Sequence, residues 1–260
     1  MWERELAVCK ETAVQAGKAI LEIYEKDDGS EVTYKADQSP LTRADRASNA
    51  IIVEALKREF PDYAILSEEE KDDRKRIEND FCFVVDPLDG TKEYVKRNGQ
   101  FTVNIALAYK TRSILGVIYV PVTGELYYAA EGKGSFLLTP DGKEQKLKVS
   151  DNTDHTKLRA VMSSSHGAPE MEALIEKYQI KELVRIGSSL KGCMVAKGDA
   201  DVYFRHNPTM EWDTAAMQCI VEEAGGIFRQ MDDSEMRYNR ENSLNDKGFY
   251  AINKEENRLR

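Results

Sequence analysis

The apolar positions of this chain fall into short stretches whose period changes along its length. Leu6, Cys9, Ala13, Ala16, Ile20 and Ile23 recur every three or four residues, the spacing of one helical face, and the register ends before Asp27-Asp28-Gly29-Ser30. A second helix is predicted from Thr42 to Glu59. Ser39-Pro40 precedes it, Ala44, Ala47, Ile51 and Ala55 form its stripe, and Pro61 stops it. The charged run from Glu68 to Arg76 reads as a loop. Phe81-Cys82-Phe83-Val84-Val85 is a continuous apolar run suited to a buried strand, and the segment Asp86 to Thr91 begins where it ends. Phe101 to Tyr109, Ile114 to Val120, Leu126 to Ala130 and Ser135 to Leu138 are separated by turn-forming residues with no room for crossover helices. They predict an antiparallel meander.

After about residue 150 the texture changes. Strand Arg159 to Ser163, helix Glu170 to Tyr178, strand Leu183 to Ile186, a helix near Leu190 to Ala196 and strand Asp201 to Phe204 predict an alternating α/β lobe. A helix from Asp213 to Ala224 follows, closed by Gly225-Gly226, with strands at Ile227-Phe228 and Phe249 to Ile252. There are neither internal repeats nor a long flexible linker.

Composition narrows the function classes. A chain of 260 residues can bury a sizeable core, and 41% hydrophobic against 32% charged residues fits a globular protein. The formal net charge of −9 argues against a general nucleic-acid binder, because backbone affinity comes from Lys and Arg neutralising many phosphates. A small anionic substrate remains compatible if metal ions neutralise it locally. Cys9, Cys82, Cys193 and Cys219 are scattered without a C-x-x-C pair, so neither a zinc site nor a disulfide framework is expected. The opening Met1-Trp2-Glu3-Arg4-Glu5-Leu6 lacks a signal pattern, and no stretch has the roughly 18 apolar residues of an integral membrane segment. A cytoplasmic protein is expected, in which any membrane contact would be peripheral, at the inner face of the cell membrane. No oligomeric partner is indicated.

The chemistry concentrates at Asp86-Pro87-Leu88-Asp89-Gly90-Thr91. Magnesium takes oxygen ligands and keeps several waters, so a few carboxylates converging on a substrate phosphate suffice. Asp86 and Asp89, three residues apart around a proline, can face one ion pair, with the Leu88 carbonyl as a neutral ligand and Gly90 allowing a sharp turn. The same residues also suit an ordinary turn. Leu88-Asp89-Gly90-Thr91 superficially resembles the D-x-D-x-[TV] nucleophile motif of haloacid-dehalogenase phosphatases, but the first aspartate lies one residue too far away.

Asp86 to Thr91 resembles the D-P-[IL]-D-G-[TS] signature of the lithium-sensitive, magnesium-dependent inositol monophosphatase superfamily. Ser67-Glu68-Glu69 resembles its upstream [GS]-E-E segment, and Glu211-Trp212-Asp213-Thr214-Ala215-Ala216 its carboxy-terminal W-D-x-A-[AG] segment, in the family's order. Within the superfamily, Thr91-Lys92-Glu93-Tyr94, the stretch Lys96 to Leu107, Gly187-Ser188-Ser189-Leu190-Lys191 and Pro208 to Asp213 look most like the bacterial 3'(2'),5'-bisphosphate nucleotidases of the CysQ type. The resemblance covers most of the chain. It implies a layered αβαβα sandwich of the inositol monophosphatase and fructose-1,6-bisphosphatase type, an α/β (α+β) fold forming one catalytic unit. An N-terminal metal-binding lobe over 1–150 would carry the antiparallel sheet, and 151–260 would form a smaller substrate lobe.

By motif, the resemblance implies Glu68, Asp86, the Leu88 carbonyl, Asp89 and Asp213 as ligands of two or more Mg2+ ions. Thr91, helped by Asp45 and the metal-bound Glu68, would serve catalysis by orienting or deprotonating the attacking water. Structural readings stand beside these roles. Thr42-x-x-Asp45 also fits a capping box, Asp213 also fits the N-cap of the next helix, and Glu69 and Glu70 could exchange with Glu68. Gly90, Thr91, Ser188, Ser189, Lys191, Arg205 and Asp213 are the expected substrate-binding residues, with Ser188, Ser189 and Lys191 opening a helix suited to a second phosphate. The segment Ser164-Ser165-His166 is a weaker candidate.

The activity implied is hydrolysis of the 3'-phosphate of adenosine 3',5'-bisphosphate to AMP and phosphate, recycling a by-product of sulfate assimilation. The partner is then a small nucleotide bisphosphate. The alternatives are an inositol monophosphatase or related sugar phosphatase, and a non-catalytic metal- or phosphate-binding module.

Overall fold

The computed structural model describes residues 2–26, 33–34, 40–72, 74–164 and 169–259, with 33–34 and 40–41 described by backbone alone. The helix stop at Asp27 to Ser30, Ser39 before the second helix, and Ser165 and His166 lie outside the described residues. The helices are α1 (Glu3–Lys26), α2 (Arg43–Glu59), α3 (Thr91–Val95), α4 (Pro169–Tyr178), α5 (Leu190–Lys197) and α6 (Glu211–Glu223). Strands β1 (Thr33–Tyr34) and β2 (Pro40–Leu41) pair antiparallel ahead of α2. Strands β3 (Ala64–Ser67), β4 (Phe81–Asp89), β5 (Thr102–Tyr109), β6 (Arg112–Val120), β7 (Glu125–Ala130), β8 (Gly134–Leu138) and β9 (Glu144–Lys146) form a seven-stranded sheet in that order. It is the predicted meander, β5 to β8, extended by β4 and β3 at one edge and by β9 at the other, and only β3 runs parallel to its neighbour. The later strands are β10 (Arg159–Ser163), β11 (Glu182–Ile186), β12 (Val202–Arg205), β13 (Thr209–Met210), β14 (Ile227–Gln230), β15 (Leu244–Asn245) and β16 (Phe249–Ile252). Five form a mixed sheet in the order β11-β10-β12-β16-β14, and β13 pairs with β15.

The layers follow from which faces are apolar. Ile20 of α1 and Ile52 and Leu56 of α2 pack on Phe83, Ile105 and Val117, covering one face of the seven-stranded sheet. On the other face, Ala216 and Ile220 of α6 meet Val84, Ala106 and Ile118, and the same cluster continues into Val161, Tyr203 and Phe249 of the second sheet. Helix α6, with α5 beside it, therefore lies between two sheets. Burial on both sides explains why α6 reads as a nearly continuous small and apolar run instead of a stripe. Met171 and Leu174 of α4 cover the outer face through Met162, Val202 and Ile252, completing αβαβα. The approach of α6 is very close at Gly116. A Cβ there would lie 2.4 Å from the Ala216 carbonyl oxygen.

Four sequence expectations change. The apolar run at 81–85 does not end at Val85, because β4 continues to Asp89. The segment before it holds an unpredicted strand, β3, too short for its period to show and supported by one neighbour. The last long helix starts at Glu211, two residues before Asp213. The charged run is not all solvated: Arg76 is 4% exposed, in a 3-10 turn over Lys75–Glu78. Among the described residues, no helix is long and apolar enough to cross a membrane.

Candidate active site

Strand β4 explains how two aspartates three residues apart come together. In a regular strand an odd separation sends side chains to opposite faces. Here Asp86 pairs with Asn104 and Asp89 with Thr102, so three steps on β4 match two on β5. The extra residue is a bulge, which Pro87 suits because it has no N–H to offer the ladder. It turns Asp86 and Asp89 to one side. Ser48 Oγ from α2 donates to the Pro87 carbonyl at 2.6 Å, and Leu88 N donates to Asp86 Oδ1 at 3.1 Å, fixing the bulge from both sides.

Parallel pairing places Ser67 opposite Val85, and Glu68 N donates to the Val85 carbonyl at 3.2 Å, which brings Glu68 beside Asp86. The third aspartate comes from α6. Asp213 is not the N-cap but the third helical residue, and its Oδ2 accepts from Met210 N at 2.6 Å. Asp86, Asp89 and Asp213 each offer an oxygen within 4.8 Å of the others. Burial first, then the charges of Glu68, Asp89 and Asp213, push the Asp86 carboxyl well above the usual carboxylate range. Burial and Asp89 push Asp213 up to about 7. Carboxylates gathered this closely are stabilised by a positive charge between them. An all-oxygen donor set without Cys or His fits a hard divalent cation.

Asp45 both caps α2 and reaches the site. Its Oδ2 accepts from Thr42 N at 2.8 Å and Thr42 Oγ1 at 2.5 Å, completing the capping box, while its Oδ1 accepts from Thr91 Oγ1 at 3.3 Å. Burial raises the Asp45 carboxyl above its ordinary value, against the hydrogen bonds from Thr42. The Thr91 hydroxyl also lies 3.3 Å from the Leu88 carbonyl, so that carbonyl faces the same side. Gly90 makes the turn between β4 and α3 with φ of 95°, where a Cβ would lie 2.9 Å from the Gln100 carbonyl oxygen. Of the exchange candidates, Glu70 Oε1 accepts from Asn49 Nδ2 at 2.7 Å, and the Glu69 charge acts on Asp45.

A cavity of about 220 Å3 joins these residues to the second sheet, bordered by Asp89, Thr91, Asp213, Ser188, Lys191 and Arg205. Lys191 is 5% exposed. Its Nζ donates to the Ser188 carbonyl at 2.5 Å and sits 5.5 Å from the centre of the Tyr203 ring. Burial pushes its ammonium down to about 8, with Asp89 pulling the other way. Arg205 Nε donates to the Asn207 carbonyl at 3.3 Å. Ser189 is fully buried and donates to Asp89 Oδ2 at 2.6 Å. Ser164 Oγ donates to Glu93 Oε1 at 3.2 Å. Sequence reasoning missed Thr102 and Asn104, whose side chains reach the same Asp89 oxygen. Two polar residues at i and i+2 in an otherwise apolar buried strand were the available signal.

The chain belongs to the inositol monophosphatase family, whose model matches residues 1–259. It is 39% identical to the 3'(2'),5'-bisphosphate nucleotidase CysQ of Salmonella typhimurium over 245 residues, 93% of this chain and 96% of that protein. Among solved structures, CysQ from Bacteroides thetaiotaomicron superposes with a TM-score of 0.84 at 43% identity, covering 96% of this chain and 98% of that one. An inositol monophosphatase from Anabaena is more distant, with a TM-score of 0.74 at 26% identity over 95% of this chain and 90% of that one.

Proposed function

We propose that the protein is a magnesium-dependent 3'(2'),5'-bisphosphate nucleotidase that removes the 3'-phosphate of adenosine 3',5'-bisphosphate, releasing AMP and phosphate. The observation that carries the reading is one cavity bordered both by the acidic cluster and by Lys191 and Arg205. A monophosphate occupies the first group of residues, whereas a bisphosphate has a use for both. An inositol phosphate would leave the second group unused, which makes an inositol monophosphatase the weaker reading.

Glu68, Asp86, the Leu88 carbonyl, Asp89 and Asp213 would hold two or more Mg2+ ions. Bound there, the ions would lower the pKa of a water and neutralise the phosphoryl oxygens. The Thr91 hydroxyl orients the attacking water, takes a proton from it and passes its own to Asp45 Oδ1, the atom to which it already donates. A raised carboxyl is the better acceptor for that proton. Lys191, with Ser188 and Arg205, holds the 5'-phosphate while attack at phosphorus breaks the bond to the 3'-oxygen, which takes up a proton from solvent as AMP leaves. Phosphate release in magnesium, abolished by EDTA and by Asp86→Asn, is the expected result. Tight nucleotide binding without release would make the protein a binding module.

A further inference from the structure

Asp89 is gripped from β5 and from the turn that leads into α5. Its Oδ2 accepts from Ser189 Oγ at 2.6 Å and from Asn104 Nδ2 at 3.2 Å, with Thr102 Oγ1 3.5 Å away. The donors are themselves linked: Asn104 Nδ2 also donates to Ser189 Oγ at 2.9 Å, and Thr102 Oγ1 donates to Asn104 Oδ1 at 2.9 Å, which orients the amide. Ser189, Asn104 and Thr102 are all essentially without solvent exposure. The Ser189 proton is given to Asp89 and one of its lone pairs is occupied by Asn104, so the hydroxyl is committed within the protein. Its Oγ also lies 3.5 Å from the Asp213 carbonyl oxygen.

We propose that Ser189 is a positioning residue, which fixes Asp89 through Oδ2 so that Oδ1 is presented to the metal beside Asp86 and Asp213. Ser189 leads directly into α5, which carries Lys191, so one hydroxyl ties the loop for the second phosphate to a metal ligand. Ser188 and Lys191, not Ser189, then make the polar contacts to that phosphate. Unrestrained, a half-buried carboxylate such as Asp89 rotates about its side-chain torsions and offers metal a poorly defined oxygen, which is why partners of ligating carboxylates matter for affinity. The inference rests on the metal-dependent reading above.

The test uses the full chain and Mn2+ alone, without nucleotide, so that it does not depend on turnover. In Ser189→Ala, calorimetry or paramagnetic resonance should show the Mn2+ dissociation constant raised about tenfold or more. The metal-free Tm should stay within about 2 °C of the parent, because one hydroxyl is lost from an otherwise intact network. Mn2+ affinity within about twofold of the parent would overturn the proposal. So would a large fall in metal-free Tm with affinity intact, which assigns Ser189 to the fold alone. Should Ser189→Ala not fold, the near-isosteric Thr102→Val frees the Asn104 amide that holds the same oxygen from β5 and should weaken Mn2+ binding in the same direction; unchanged affinity there overturns the proposal equally. If the parent binds Mn2+ but releases no phosphate from adenosine 3',5'-bisphosphate, the functional reading fails while the role of Ser189 stands.

Discussion

Replacing Gly116 by alanine should damage the metal site from its far side. Gly116 lies on β6, inside the sheet, and its missing side chain lets α6 approach so closely that a Cβ would sit 2.4 Å from the Ala216 carbonyl oxygen and 3.0 Å from the Ala216 Cα. An ordinary carbon to oxygen contact is about 1 Å longer than the first of these. The neighbouring atoms are backbone, so no side chain can swing aside. Strand β6 is held by β5 and β7, and Ser113 Oγ ties it to the Ala215 carbonyl at 2.7 Å. The helix must therefore give way. Ala216 is one turn beyond Asp213, so a shift approaching about 1 Å reaches a proposed ligand, and metal–ligand distances tolerate only about 0.2 Å. Overpacking of this kind costs about 1 to 3 kcal/mol, and a misplacement of that size about 100-fold in rate. Urea unfolding of the metal-free chain, Mn2+ titration and phosphate release measure the three consequences. Gly116→Ala with stability, metal affinity and turnover all like the parent would refute the claim that this contact places Asp213.

Three further outcomes are expected. Lys191→Met should lower kcat/KM for a nucleotide bisphosphate about 10- to 100-fold, the loss of one charge-assisted contact to phosphate. Because burial lowers the Lys191 pKa to about 8, the parent's kcat/KM should be full below that pH and fall as pH rises through it, a limb absent in Lys191→Met. Arg76→Met should cost about 3 kcal/mol in urea unfolding, since the buried guanidinium reaches Asp72 at 2.8 Å, Asn239 at 2.9 Å and the Arg240 carbonyl at 2.9 Å. A loss below about 0.5 kcal/mol would show that this network carries no stability. Burial would raise the Asp201 carboxyl, but hydrogen bonds from Arg159, Ser150 and Asn152 outweigh it and hold the carboxyl below its ordinary value. Asp201→Asn should therefore lose about 2 kcal/mol at neutral pH, a deficit that shrinks as pH falls from about 4 through the lowered pKa and protonates the parent's Asp201.

Much of the fold was legible because apolar positions mark each long element. The stripe of α1, the stripe of α2 between Pro40 and Pro61, and the short apolar runs of the meander set apart by turn residues all announce themselves locally. The D-P-L-D-G-T segment marked the centre of the candidate site, but spacing alone could not separate a turn from a ligand pair. The β4–β5 register adds what spacing lacks, a bulge within a strand that turns Asp86 and Asp89 to one side. Arg76 was hidden in a charged run. Its partners Asn239, Arg240 and Ser243 lie more than 160 residues away, so nothing local distinguishes it from its solvated neighbours. Asp45 carries two hydrogen-bonding duties at once, one local and visible in Thr42-x-x-Asp45, the other across the fold to Thr91.

The most direct test compares phosphate release from adenosine 3',5'-bisphosphate, adenosine 3'-monophosphate and inositol 1-phosphate with the same enzyme in magnesium. The cavity that pairs an acidic cluster with Lys191 and Arg205 predicts kcat/KM at least about tenfold higher for the bisphosphate than for either monophosphate, from the extra contacts to its second phosphate. Equal kcat/KM for all three, or release that persists undiminished in EDTA, would contradict the account.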